Sequence, residues 1–142
     1  MRIYIYSDGA SRNNPGRSAS GYALYDKFQR CLFSHAFYNG IRTNNEAEYL
    51  AIIAAMKKAD ELYGYVNDIV AFTDSELMAR QISGQYRTKD SGLRPLNVKA
   101  RELARGFMSF TIKSVPRENR YISLVDAELN SLLDRLDSGH ET

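Results

Sequence analysis

The chain has 142 residues, 44% of them hydrophobic, with 19 Lys and Arg against 17 Asp and Glu, enough for a single core without covalent staples. Its one cysteine, Cys31, excludes an intramolecular disulfide, no apolar run reaches bilayer length, and no basic region precedes an apolar core at the N-terminus, so the expectation is a soluble, cytoplasmic protein of one domain, residues 1–142. A net charge of +2 permits nucleic acid as a partner without pointing to it. Arg2 to Tyr6, rich in Ile and Tyr, predicts a first strand. It runs into Ser7-Asp8-Gly9-Ala10-Ser11-Arg12-Asn13-Asn14-Pro15-Gly16, where an acid ends the apolar run and Asn14-Pro15-Gly16 carries turn chemistry. Asp8 is therefore expected at the rim of a sheet beside a tight polar loop, although a plain hairpin with an aspartate near its turn fits this segment equally well.

Gly21 to Phe28 and Cys31 to Tyr38, separated by Gln29-Arg30, predict two more strands and complete an antiparallel meander. Cys31 reads there as a small buried hydrophobe, and His35 as a packed or rim histidine sharing a face with Phe33 and Phe37. From Asn44 or Asn45 to about Leu62 the Ala content and length predict a helix that is apolar most of the way round and lies against the sheet. Glu48 is the informative residue, because a carboxylate near such a surface is costly unless neutralised. Thr43 to Glu46 and Asn45 to Glu48 both have capping-box spacing; capping is assigned to Glu46, which leaves Glu48 for chemistry.

Asp68 to Thr73 is a short strand that again ends in an acid, Asp74, before a helix from Glu76 to Ile82 stopped by Ser83-Gly84. Strand-helix-strand connections favour a parallel pair, which brings Asp8 and Asp74 to the same sheet edge, and two aspartates there suggest a hard cation. Gln85 to Arg94 is a polar, basic loop. Pro95 opens a helix whose Leu96, Ala100, Leu103 and Phe107 share one face, leaving Lys99, Arg101 and Arg105 to point elsewhere. Met108 to Val115 alternates as an edge or half-buried strand, and Pro116 ends it. A last helix is expected over Ser123 to Leu136, with Val125, Leu129, Leu132 and Leu136 as its stripe and Asp126 at capping-box spacing from Ser123. Residues 137–142 are expected to form a frayed tail.

Asp8-Gly9 followed by Asn14-Pro15-Gly16, then Thr43-Asn44-Asn45-Glu46-Ala47-Glu48, then Thr73-Asp74-Ser75, then an acid in the terminal helix, closely resembles the ribonuclease H family, type 1. The resemblance covers almost the whole chain in order. It implies an α/β fold, a ribonuclease H-like five-stranded mixed sheet with three antiparallel strands and then parallel ones, flanked by helices. It implies a metal-dependent endoribonuclease that cuts the RNA strand of RNA/DNA hybrids and leaves 5′-phosphate and 3′-hydroxyl ends. Carried over residue by residue, the catalytic and metal-holding carboxylates fall on Asp8, Glu48, Asp74 and Asp126, which would bind two divalent cations, Mg²⁺ or Mn²⁺. The same resemblance makes Ser11, Asn14, Asn44 and Asn45 candidates to contact sugars across the minor groove, where the 2′-OH distinguishes RNA from DNA, and Thr43 a candidate contact to a DNA phosphate.

Three departures accompany the resemblance. Familiar bacterial members carry a basic helix with Trp residues as a substrate handle; here a short loop replaces it, binding falls to Arg87, Lys89 and Arg94, and the likeness is closer to members that lack the handle. The histidine those members place before the last helix is missing, and Arg117 and Glu118 occupy that loop. The step from Asn119 to Asp126 is also longer than the familiar one, which makes Glu128 the alternative ligand. Two other readings stay open: a related nuclease that also cleaves double-stranded RNA, and a catalytically silent hybrid-binding module. Nothing in the core calls for a second copy, so a monomer without membrane attachment is expected.

Overall fold

In the computed structural model, which describes residues 1–139, five strands and four helices follow the order β1 (Arg2–Ser11), β2 (Gly16–Tyr25), β3 (Cys31–Arg42), α1 (Asn44–Tyr63), β4 (Asp68–Thr73), α2 (Glu76–Ile82), α3 (Arg94–Gly106), β5 (Ser109–Ser114) and α4 (Arg120–Gly139). The sheet order is β3-β2-β1-β4-β5. β1 to β3 form the expected antiparallel meander, and β4 and β5 extend it in parallel register with β1. Parallel strands need crossover connections: α1 carries the chain from the edge strand β3 past β2 and β1 to β4, and α2 and α3 link β4 to its neighbour β5.

Alternation along the strands divides the apolar residues between two layers. Ile3, Ile5, Ile69 and Ala71 join Tyr22 and Leu24 under Tyr49, Ile52 and Met56 of α1, with Leu103 and Phe107 from the α3 region completing this larger core. Ala19, Ala23 and Tyr25 face Val125, Leu129 and Leu133 of α4 on the other side. Each fully buried Ile or Leu in these layers contributes about 1.5–3 kcal/mol by leaving water. The sheet is thus clamped between α1 and α4, and the two helices deliver side chains to the same strand, β1, from opposite faces.

Several boundaries differ from the sequence expectation, each for a local reason. β1 runs on to Ser11 and β2 starts at Gly16, because the pairs Ser7↔Tyr22 through Ser11↔Ser18 continue the hairpin through its polar part; the Asn14-Pro15 peptide at its turn is cis. Cys31 is exposed rather than buried, since it opens the edge strand β3. His35 does lie between Phe33 and Phe37, with ring centroids 6.4 and 5.8 Å away. α4 begins at Arg120, not Ser123: Asn119 Oδ1 accepts from the N–H groups of Tyr121 and Ile122 at 2.9 and 3.2 Å, so Asn119 is the cap and Asp126 has no capping task. The buried stripe of α4 is Ile122, Val125, Leu129 and Leu133, while Leu132 and Leu136 are half-buried. Asp137 to Gly139 belong to this helix instead of a frayed tail; the rest of that expected tail, residues 140–142, lies outside the described residues.

Candidate active site

β1 pairs with β4 only as far as Tyr6↔Phe72. Two residues further on, Asp8 is still inside the β1–β2 hairpin, opposite Gly21, whereas β4 has ended at Thr73 and the chain has turned at Asp74. Asp8 therefore sits within its strand rather than at the end of it, and the rim it occupies is the one created where β4 stops. Asp74 is held by its neighbours: Thr73 Oγ1 accepts from the Ser75 N–H at 3.0 Å, and Ser75 Oγ caps α2 through Met78 N at 3.1 Å.

Two glycines let helices close on Asp8. A Cβ on Gly9 would stand 2.3 Å from the Ala47 carbonyl carbon and 2.6 Å from Glu48 N, so only glycine allows α1 to lie this near β1. A Cβ on Gly21 would meet Val125 Cγ1 at 3.0 Å, which leaves α4 room beside Asp126. Ser20 Oγ donates to the Ala47 carbonyl at 2.6 Å and pins α1 at the same level. Glu46 is the capping glutamate: its carboxylate accepts from Thr43 N at 2.9 Å while Thr43 Oγ1 accepts from Glu46 N at 3.1 Å. Glu48, two residues further along α1, is left to face the sheet edge.

Carboxylate oxygens of Asp8, Glu48 and Asp74 all lie within 4.8 Å of one another. Asp8 is 4% exposed and Glu48 8%. Burial, then the charge of Asp74 and the closeness of Asp126, push the Asp8 carboxyl up to about 8. Burial, followed by the charges of Asp8 and Asp74, holds Glu48 well above the usual carboxylate range, and the Gly9 N–H offsets part of this. Glu48 Oε2 is buried and has no hydrogen-bond partner. A buried, crowded, all-oxygen set with an unmet acceptor fits a hard divalent cation, which takes carboxylate oxygens and supplies the missing positive charge. Asp126, the fourth expected ligand, lies outside the set of three within 4.8 Å; it stands near enough to Asp8 to raise that carboxyl further, and Asn130 Nδ2 donates to Asp126 Oδ1 at 3.1 Å. Glu128 instead lines a groove with Ser34, His35, Leu124 and Arg135, away from these acids.

The proposed sugar-contacting residues cluster beside the acids. Asn44 Oδ1 accepts from Ser11 N at 2.8 Å and Ser11 Oγ at 3.1 Å, and Asn14 Oδ1 accepts from Asn44 N at 3.0 Å. Ser11, Asn14 and Asn44 thus tie the β1–β2 turn to the first residues of α1, with Thr43 as the N-cap and Asn45 exposed next to them. Arg87 and Arg94 do not join this group. They line a separate groove with Tyr86, Thr88, Asn97 and Arg101, of about 320 Å³, and Lys89 is exposed in the same loop. The sequence reading missed the close-approach role of Gly9 and Gly21; the only signal was a small residue next to Asp8 and another in the strand expected to pair with it.

A reverse transcriptase-like family model matches residues 6–123. The chain is 40% identical over 133 residues to the ribonuclease HI of Halobacterium salinarum, covering 94% of this chain and 65% of that protein. A crystal structure of RNase H1 from the same archaeon superposes with a TM-score of 0.89 at 38% identity, covering 95% of this chain and 99% of that one. LC11-RNase H1 in complex with an RNA/DNA hybrid superposes with a TM-score of 0.82 at 29% identity over 92% of this chain and 99% of that one. With the five-stranded mixed sheet, the acids at the β1–β4 edge and these likenesses together, the chain belongs to the ribonuclease H family, type 1.

Proposed function

We propose that this protein hydrolyses the RNA strand of RNA/DNA hybrids, leaving 5′-phosphate and 3′-hydroxyl ends, with Asp8, Glu48, Asp74 and Asp126 holding two divalent cations, Mg²⁺ or Mn²⁺. The observation that carries this reading is the set of three carboxylates within 4.8 Å, one of whose oxygens is buried without a partner. When bound, such cations lower the pKa of an attacking water and offset charge on the leaving 3′-oxygen. The complex of LC11-RNase H1 with a hybrid supports the substrate class.

The chain's own residues supply recognition. The side-chain carbonyls of Asn14 and Asn44 are already committed to α1 and the β1–β2 turn, so each amide offers its Nδ2 donors to the substrate. Those donors suit the 2′-OH and base acceptors of a wide, shallow minor groove. Thr43, at the N-terminus of the 20-residue α1, suits a phosphate of the DNA strand. Arg87, Lys89 and Arg94 then extend phosphate contact beyond the site, as a weaker substitute for a basic handle.

The test is cleavage of end-labelled hybrid, with DNA/DNA and RNA/RNA duplexes as controls, by wild type and Asp74→Asn in Mg²⁺ and in Mn²⁺. The expected result is cutting of the RNA strand of the hybrid by wild type alone. A folded wild type that binds the hybrid without cutting it would make this a binding module, and equal cutting of RNA/RNA would widen the substrate to double-stranded RNA.

A further inference from the structure

We propose that Arg12 and Asn130 are positioning residues that hold Asp126 in its working orientation; the inference rests on the reading above of Asp126 as a cation ligand. α4 presents Asp126, Asn130, Asp134 and Asp137 at helical steps of four, four and three, which stacks them along one face. Arg12 follows Ser11 at the end of β1 and reaches across to that face. Its Nη2 donates to Asp134 Oδ1 at 2.8 Å, to the Asn130 main-chain carbonyl at 3.1 Å and to Asn130 Oδ1 at 3.3 Å, while its Nη1 donates to Asp137 Oδ2 at 3.2 Å. Arg17 adds a second contact to Asp137, at 2.6 Å.

The consequence lies in the Asn130 amide. With its oxygen turned to the guanidinium, its nitrogen must face the other way, and Nδ2 donates both to the Asp126 carbonyl at 2.9 Å and to Asp126 Oδ1 at 3.1 Å. Reversing the amide would set an NH₂ against Arg12 and a carbonyl oxygen against Asp126, leaving both contacts donor-to-donor or acceptor-to-acceptor. Asp126 needs such a restraint, because it stands beside the Asp8 carboxyl in a crowded acidic site and like charges drive each other apart. Arg12 itself is neutralised by Asp134 and Asp137, so its role is orientation rather than charge. It also joins the turn that carries Ser11 and Asn14 to the helix that carries Asp126, so the sugar-contacting and cation-holding parts share one rigid link.

The experiment measures Mn²⁺ binding to the substrate-free protein, from the EPR signal of unbound Mn²⁺, for wild type, Asn130→Ala, Asn130→Asp, Arg12→Ala and the double variant Arg12→Ala/Asn130→Ala, with kcat and KM on a hybrid in parallel. Partners that orient a ligand are worth about 10- to 100-fold in metal affinity or activity. Asn130→Ala is expected to weaken Mn²⁺ binding and kcat within that range with KM for the hybrid unchanged, and Asn130→Asp, which sets a carboxylate against Asp126, to weaken both further. Arg12→Ala should act in the same direction but less, and the double variant should equal Asn130→Ala, since Arg12 works through Asn130. If Arg12→Ala does not fold, Arg12→Lys takes its place, because a point ammonium lacks the fork that reaches Asn130 and Asp137 together. A folded Asn130→Ala with wild-type Mn²⁺ binding and kcat overturns the proposal. So do strictly additive effects in the double variant, or an Arg12 effect confined to KM, which would make Arg12 a substrate contact. A wild type that binds Mn²⁺ but leaves hybrids uncut refutes the nuclease reading alone, and the Mn²⁺ measurements still decide this one.

Discussion

Glu48 and Tyr49 are neighbours on α1, both buried and both polar at their tips, yet they lead to opposite kinds of network. Tyr49 OH donates to Gln81 Oε1 at 2.7 Å and accepts from Asn97 Nδ2 at 3.1 Å, joining α1, α2 and α3 through a buried set of neutral groups with its hydrogen bonds made. Glu48, about a hundred degrees around the helix, meets Asp8 and Asp74 and has an oxygen with no partner. The first arrangement stabilises the fold as it stands, whereas the second costs stability until positive charge arrives. One helix thus carries a structural junction and a functional site side by side, and the sign of each contribution can be measured.

The largest separation between the two should come from pH and divalent cations. Burial and the neighbouring acids push the Asp8 carboxyl up to about 8 from an ordinary 3.8, and Glu48 is shifted the same way. Between those limits the folded state binds more protons than the unfolded one, so stability without metal falls as pH rises, by up to about 1.4 kcal/mol per pH unit for each proton. Urea unfolding in chelator should therefore give a lower stability at pH 8 than at pH 5, with the drop reduced in Asp8→Asn. Mg²⁺ or Mn²⁺ at 100 times its dissociation constant should restore about 2.7 kcal/mol at pH 8. A metal-free stability that rises from pH 5 to pH 8, or a melting temperature indifferent to saturating cation, would show that the acids do not repel one another as the geometry requires.

Next in size is the approach of α1 to β1. Gly9→Ala places a Cβ against the Ala47 backbone at 2.3 Å, and rigid backbone cannot yield as a flexible side chain would. The variant should lose about 3 kcal/mol and, because the shift displaces Glu48 from Asp8, much of its stabilisation by Mn²⁺. Full retention of the Mn²⁺ response in a folded Gly9→Ala protein would mean that Glu48 is dispensable to the cation.

Much of the site was legible because it is written in local grammar. Asp8 and Asp74 each follow a short apolar run, and strand-helix-strand connections favour parallel strands, so their convergence needed no side-chain detail. Glu46 announced itself as a cap by spacing, which freed Glu48. α4 was harder. Ser123 and Asp126 mimic a capping box, while the true cap, Asn119, is followed by Arg120 and Tyr121, which carry no helix-start signal; moving the start then decided that Asp126 has no capping role. Leu132 and Leu133 are the same residue type, so periodicity could not choose which of them faces the sheet, and the choice fell to packing against β2. The roles of Gly9 and Gly21 depend on how closely two helices approach one strand, which no spacing along the chain encodes. The stretch from Gln85 to Arg94 was read correctly as basic, but the groove that Arg87 and Arg94 line is completed by Asn97 and Arg101 of α3, a juxtaposition that the loop's own composition does not encode.

The smallest effect belongs to the junction. Tyr49→Phe keeps the ring and its packing but removes the hydroxyl, leaving Gln81 Oε1 and Asn97 Nδ2 without the partner they share. Gln81 and Asn97 are themselves buried, so water cannot readily replace that partner, and the cost should be about 1–3 kcal/mol. The loss should be the same at pH 5 and pH 8 and in the presence or absence of Mn²⁺, because no group of the junction needs to change charge. Chemical denaturation of Tyr49→Phe under those four conditions measures this directly. A loss that grew with pH or vanished on adding Mn²⁺ would show that the junction and the acidic site communicate through α1, and the helix would then have to be treated as one element with two positions rather than as a rigid support for two independent networks.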